Sequence, residues 1–431
     1  MTTFHRRFRK RGWFAFLVLA LAPIVCGAQA AVPVVEVPNQ PNSAAQQAKH
    51  YVVLVSLDGF RYDYAEKYGA KNLLALAHRG ASAPGGMIPS YPSVTFPNHY
   101  SIVTGLYPEH HGIVANSFRD PERNANYSMR DTKAVTDGTW WGGTPLWVLA
   151  EKQGMRTASF FWPGSEAEID GRRPSYYLAF DDTFPDDKRV DQVIAWLRLP
   201  PEQRPHFITL YYSNTDHAGH TYGPEAPETG EAVRHLDEMI GKLSDGIAAT
   251  GLPVDLIVVA DHGMETVQGT WVPLDKWADL SNIETSGSLL YAKSEGDAEK
   301  VYESLRGASP LFKVYRRANV PAHLHYNSNP REGDPVVVPT GPYLIVAHIP
   351  TSNGRVSTLP KGEHGYDPRT MPSMKAIFYA AGPDIRAGVT VAPFENVNVY
   401  PFIAKILGLT PGPIDGKLKV LQKALNKQAQ N

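Results

Sequence analysis

The chain has 431 residues, 43% hydrophobic and 20% charged, so a large core can be buried in one large domain or two to three smaller ones. Its formal net charge is −1, but residues 1–30 hold five basic side chains (Arg6, Arg7, Arg9, Lys10, Arg11) and no acidic ones; without them 37 basic residues face 43 acidic ones, a net charge of −6. A mildly acidic protein has no general attraction for duplex nucleic acid or anionic membrane, so any phosphate chemistry needs local cations.

The first predicted element is a secretory signal over 1–30. A basic stretch, Arg6 to Arg11, precedes an apolar run from Trp13 to Val25, and Ala28-Gln29-Ala30 offers small residues for cleavage. The run is short for a spanning helix, which needs ~20 apolar residues. The mature protein is therefore expected to be secreted or periplasmic, without stable membrane insertion. Cys26 is the only cysteine and leaves with the signal, which excludes disulfides, thiolate metal sites and a cysteine nucleophile.

Residues 31–49, rich in Pro, Gln, Asn and Ala, predict a flexible linker; 50–425 predict the folded domain and 426–431 a tail. Short apolar or β-branched runs follow at Tyr51–Leu57, Thr157–Trp162, His206–Tyr212, Val254–Ala260 and Lys375–Ala381. They lack the alternation of half-exposed strands and suit a buried parallel sheet. Helical patterns lie between them at Asn72–Arg79, Thr144–Gln153, Asp187–Leu199 and Thr229–Thr250, three of them ending at or just before a glycine. The expected fold is α/β, a central, mostly parallel sheet with helices on both faces. Residues 271–349, with a helical pattern at Asp297–Arg306 among strand-like pieces and turns, read as an insertion or cap.

Three of the apolar runs lead into acidic residues: Asp58 after the first, Asp216 after the third, and Asp261-His262 after the fourth. In open α/β sheets ligands bind at the carboxyl ends of the strands, so these acids should converge. An Asp after a strand is an ordinary turn residue taken singly. With His220, His262 and His364 they make enough donors for two three-ligand metal sites of the kind that keeps a position open for catalysis. Nitrogen and oxygen donors suit zinc and also admit manganese or cobalt. Thr95, in Tyr91-Pro-Ser-Val-Thr-Phe-Pro-Asn-His-Tyr100, precedes a helix-like stretch from His99 to Leu106. Ser93, Thr95 and Asn98 could each simply cap that helix. As a nucleophile, Thr95 would need activation by a bound metal.

Ordered strings along the chain carry a resemblance: Val55-Ser-Leu-Asp-Gly-Phe-Arg61, Pro92-Ser-Val-Thr-Phe-Pro-Asn-His-Tyr100, Val103-Thr-Gly-Leu-Tyr-Pro-Glu-His-His-Gly-Ile113, Trp162-Pro-Gly-Ser165, Asp216-His-Ala-Gly-His-Thr-Tyr-Gly-Pro224, Asp261-His-Gly-Met264 and His364-Gly-Tyr-Asp367. From about Tyr51 to Leu407 the sequence resembles the nucleotide pyrophosphatase/phosphodiesterases of the alkaline phosphatase superfamily. The resemblance implies two zinc ions, one on Asp216, His220 and His364 and the other on Asp58, Asp261 and His262. It implies Thr95 as the nucleophile, esterified transiently by the phosphoryl group. It also implies Asn116 as a donor to a phosphate oxygen, a neutral group suited to the single charge of a diester.

The organic group of the substrate is less legible. A small-molecule nucleotide, released as a nucleoside 5′-monophosphate, would stack on flat aromatic faces, for which Phe96, Tyr177 and Tyr211 are the candidates that the resemblance suggests. A choline-phosphate ester would instead need an aromatic cage, for which Trp140, Trp141, Trp147 and Tyr176 are available, often with a carboxylate. Ser213 and Asn214, where some relatives carry acids, argue against a cation site there. A phosphomonoesterase or phosphonate hydrolase, and a metal-dependent binding protein without turnover, complete the alternatives.

Overall fold

The computed structural model describes residues 1–2, 33–352 and 354–430, so the predicted signal lies outside the described residues apart from its first two. Residues 32–431 are one compact unit. Its centre is a nine-stranded sheet. In chain order the strands are β1 (Val35–Glu36), β2 (Tyr51–Leu57), β3 (Ala81–Ser82), β4 (Thr157–Phe160), β5 (Tyr176–Leu178), β6 (Phe207–Tyr212), β7 (Val254–Val259), β8 (Phe378–Ala381) and β9 (Val389–Thr390). Their order across the sheet is β1-β5-β4-β6-β2-β7-β8-β3-β9.

The run from β5 through β4, β6 and β2 to β7 is parallel. Every residue of β2, β6 and β7 is buried, which is why their sequences show continuous apolar runs rather than alternation. The sheet is mostly parallel, as expected, with an exception at one of the apolar runs: β8 is antiparallel to β7. The chain arrives there from segments around the carboxyl ends of the parallel strands, so it must cross the sheet in the opposite sense.

Helices cover both faces. Helix α6 (Pro227–Thr250) packs on α1 (Lys71–Arg79) and α4 (Asp186–Leu197), while α8 (Val399–Leu407) packs on α2 (Thr95–Thr104) and β2, beside α3 (Leu146–Lys152) against β4 and β6. Helix α5 spans Asn214–Tyr222, and α7 spans Glu295–Leu305 within the stretch read as an insertion. A second apolar cluster draws on residues 272–347, including Leu290, Val301 and Leu305, within the stretch read as an insertion.

The flexible-linker reading does not fit residues 33–49. Val35 and Glu36 pair with Tyr177 and Tyr176 at the sheet edge, and Asn42 is buried, its amide donating to the Pro201 and Arg204 carbonyls. Polar composition suggested a linker, but here the polar side chains satisfy loop backbone. At the other end, the tail residues Lys427–Gln430 form a short helix.

Glu332 is wholly buried and neither carboxylate oxygen has a hydrogen-bond partner. Burial, then the nearby carboxylate of Glu109, pushes its pKa up to about 8. The unfolded chain loses this proton in the ordinary carboxylate range, the folded one only near 8, so the folded state holds an extra proton between and stability falls as pH rises through that window. Glu332→Gln is expected to leave the melting temperature unchanged at pH 5 and to stabilise by about 2 kcal/mol at pH 9, read by thermal unfolding at both pH values.

Candidate active site

The three central strands β6, β2 and β7 are neighbours, and their carboxyl ends deliver the acidic residues together. Asp58 follows β2 directly, its N–H donating to the Tyr212 carbonyl at 2.8 Å. Gly59 has φ +67°, and a Cβ there would lie 2.9 Å from the Asp216 Cα, so glycine allows the two loops to close on each other. Asp216 and His220 sit four apart on one face of α5, with Asp216 Oδ1 3.3 Å from His220 Nε2 and 3.6 Å from His364 Nε2. Across the site His262 Nε2 is 2.9 Å from Asp261 Oδ2 and 3.5 Å from Asp58 Oδ1.

Second contacts fix the orientation of each imidazole. The Nδ1 of His220, His262 and His364 lies 2.9 Å from the carbonyls of Gly362, Gly263 and Ser93 respectively. In each case Nε2 is left facing the acids, the arrangement metal-binding histidines adopt. Asp58 Oδ1, Asp216 Oδ1 and Asp261 Oδ2 are buried without hydrogen-bond partners. Unpaired buried carboxylate oxygens are costly unless a cation joins them. Ligand atoms of Asp216, His220 and His364, one expected set, lie within 4.8 Å of one another; those of Asp58 and His262 do so with Asp216 in place of the expected Asp261, and the residues fit divalent metals.

The electrostatics without metal agree. Burial and then the charges of Asp261 and Asp216 push Asp58 well above the carboxylate range. Burial would lower His262 and His220, but Asp261 and Asp216 respectively outweigh it and push both up to about 9. His364 is held down at about 3 by burial and the neighbouring His262.

Thr95 opens α2, and its Oγ1 lies 3.5 Å from His262 Nε2. The capping alternatives are not realised: the N-cap is Val94, and Ser93 Oγ donates to the Tyr366 carbonyl, pinning the loop beside His364. Asn116 Oδ1 accepts from the Phe96 N–H at 2.9 Å, which leaves its amide hydrogens for another acceptor.

Beside Thr95, Asp58 and Asp216 opens a cavity of about 510 Å³. Phe96 and Tyr211 line it. Tyr211 also donates its hydroxyl to Asp58 Oδ2 at 2.6 Å, so the polar end serves the acid and only the ring faces a ligand. If the acids hold a divalent metal, Tyr211→Phe is expected to weaken its binding about tenfold in a chelator competition while leaving the fold intact. Tyr177 is not among the lining residues; it is paired with Val35 on β5, and Phe180, three residues on and 53% exposed, lines the cavity instead. Trp140, Trp141, Trp147 and Tyr176 are core residues outside it.

Sequence reasoning also missed Glu166 and Asp182, which bring carboxylates to this cavity although Ser213 and Asn214 do not. Glu166 accepts the Phe180 N–H, and Asp182 accepts the Ser213 hydroxyl. Buried Arg189 holds the wall by donating to the Tyr211 and Phe184 carbonyls. His99, also missed, is wholly buried, with Nδ1 2.9 Å from the Thr95 carbonyl and Nε2 2.8 Å from Ser56 Oγ.

A family model described as type I phosphodiesterase / nucleotide pyrophosphatase matches residues 52–367. The chain belongs to this family. It is 35% identical over 418 residues to an uncharacterized pyrophosphatase/phosphodiesterase of Schizosaccharomyces pombe, covering 93% of this chain and 85% of that protein. It is 34% identical over 443 residues to human ectonucleotide pyrophosphatase/phosphodiesterase family member 7, covering 97% and 91%. Against human family member 1, at 35% identity, it spans 42% of that protein. Murine ectonucleotide pyrophosphatase / phosphodiesterase 5, solved as an inactive variant in complex with AMP, superposes with a TM-score of 0.81 at 30% identity, over 88% of this chain and 100% of that one. The chain is thus a phosphodiester hydrolase with the α/β fold expected from its sequence. No helix among the described residues is long and apolar enough to cross a membrane.

Proposed function

We propose that this member of the family is an exported two-zinc phosphodiesterase that cleaves nucleotide diesters and pyrophosphates to nucleoside 5′-monophosphates through a phosphothreonine. The observation that carries it is the convergence of three carboxylates and three histidine Nε2 atoms beside the Thr95 hydroxyl. Asp216, His220 and His364 would hold one ion and Asp58, Asp261 and His262 the other. When bound, the metals supply Lewis-acid chemistry that lowers the pKa of the hydroxyl and neutralises phosphoryl charge.

The chain's own groups do the rest. Thr95 gives up its proton to solvent, and its Oγ bonds to phosphorus as the bond to the leaving oxygen breaks, that oxygen taking a proton from solvent. Water then bonds to phosphorus as the bond to Thr95 Oγ breaks, one of its protons returning to Thr95 and the monophosphate departing. The free amide hydrogens of Asn116 donate to a non-bridging oxygen, a neutral partner matched to a monoanionic diester. The retained nucleoside enters the 510 Å³ cavity, where Phe96 and Phe180 offer stacking faces.

One observation favours a second reading. Glu166 and Asp182 stand beside Phe180 and Tyr211, which would also suit a quaternary ammonium and hence a choline-phosphate ester. Comparing kcat/KM for the nitrophenyl esters of thymidine 5′-monophosphate, phosphocholine and phosphate separates the possibilities. A lead of several orders of magnitude for the thymidine ester is expected. A phosphocholine preference would overturn the pocket reading and keep the metals; a monoester preference would overturn the role given to Asn116.

A further inference from the structure

The amino ends of the central parallel strands, opposite the catalytic acids, carry a separate cluster of donors. His50 immediately precedes β2, Asp255 is the second residue of β7, and Asp384 follows β8, which runs antiparallel to β7 and so ends beside it. Asp261 lies at the far end of the same strand as Asp255, about 20 Å away at the rise of an extended chain.

One ligand atom from each of His50, Asp255 and Asp384 lies within 4.8 Å of the other two. His50 Nδ1 is 2.6 Å from Asp384 Oδ2, and the His50 carbonyl lies 3.0 Å from His206 Nδ1, which fixes the start of the strand. Asp255 Oδ1 accepts the Asp384 N–H at 3.0 Å. A Cβ at Gly382 would collide with that oxygen, so glycine lets the loop approach this closely. Asp255 is 0% exposed, and its Oδ2 has no hydrogen-bond partner. Among the described residues His50 is the one ion-pair partner of either acid, and it sits against Asp384. That pair accounts for Asp384 and leaves the second oxygen of Asp255 alone, which is costly for a buried carboxylate unless a cation joins it.

We infer that His50, Asp255 and Asp384 form a further divalent-cation seat, a structural cross-link apart from the catalytic pair. One nitrogen and two oxygen donors suit zinc and also admit manganese. Three protein donors leave a position for water, which reaches the site past the half-buried His50. The seat joins stretches of chain around residues 50, 255 and 384, and the Asp384 carbonyl accepts the Asn426 N–H at 2.8 Å, which ties in the carboxyl-terminal segment as well. Cys26 is the only cysteine, so no disulfide within the chain can make such a link, whereas a metal bound by the folded state alone can.

The test strips the full chain with a chelator, reloads it with zinc, removes the excess and counts zinc per chain. Two variants are treated alike: His50→Ala, which alters a half-buried side chain, and Asp255→Asn, which keeps the shape of a buried one. Each is expected to hold one zinc fewer than the unaltered chain and to keep kcat/KM on the thymidine nitrophenyl ester within about twofold. Reloading should raise the melting temperature of the unaltered chain by about 3 °C more than that of either variant. Should Asp255→Asn fail to fold, the zinc count of His50→Ala decides. Equal zinc content in the unaltered chain and His50→Ala would overturn the seat. So would a higher melting temperature for Asp255→Asn with zinc present, the mark of two acids that merely share a proton. The zinc count is independent of turnover: one zinc fewer in the variants, from a chain that cleaves no thymidine ester, would overturn the nucleotide reading and leave the seat standing.

Discussion

Thr95→Ala is expected to retain less than about a thousandth of the wild-type kcat on the thymidine nitrophenyl ester while still binding as much zinc as the wild type. The side chain sits at the first position of α2, makes no cap and lies 3.5 Å from His262 Nε2, so removing it takes away the hydroxyl proposed to attack and little packing. Thr95→Ser should recover a measurable part of the rate, because the hydroxyl returns without the methyl group that restrains it. Rapid quenching of the wild type with labelled thymidine ester should trap the thymidine 5′-phosphoryl group on Thr95. Retention of substantial turnover by the alanine variant would mean that water attacks directly, and the phosphothreonine would have to be abandoned.

The second large effect has opposite signs with and without metal. Asp58 and Asp261 are buried beside the half-buried Asp216, and Asp58 is pushed up by burial and by the other two. Stripping zinc by chelation is expected to lower the melting temperature by about 5 °C or more, since metal binds the native state alone. Asp58→Asn removes one of three mutually repelling carboxylates. It should raise the melting temperature of chelated protein, lower that of zinc-loaded protein, and abolish turnover. A drop under both conditions would show that Asp58 serves packing rather than charge.

Much of this centre was legible because its parts occur as strand ends. The apolar runs before Asp58, Asp216 and Asp261 identify three buried strands, and strand adjacency brings the acids together. His364 was harder to place, since nothing local says which strand end its loop approaches; the resemblance supplied it. The second contacts were not legible at all. His99 reads as one more residue of a helix, and the Nδ1 partners are backbone carbonyls, which any residue provides. Phe180 was missed for a different reason. Gaps in the correspondence between Arg172 and Phe180 put the aromatic reading on Tyr177, whereas the chain leaves β5 after Leu178 and only then reaches the cavity. The linker misreading has the same root: composition reports solvation in the unfolded chain, but the Asn42 amide is fully used by loop carbonyls.

The anchoring of the imidazoles has a consequence for the order of assembly. His220 is tied to the Gly362 carbonyl and His364 to the Ser93 carbonyl, so one ligand set joins three stretches of chain that are far apart in sequence. Asp58, Asp261 and His262 are all in place on strand ends that pair directly, and synthesis delivers them well before residue 364. On the two-metal proposal, a nascent chain would complete one metal seat early and the other late: the first joins the ends of β2 and β7, and the second closes only after the loop that carries His364 has met Ser93.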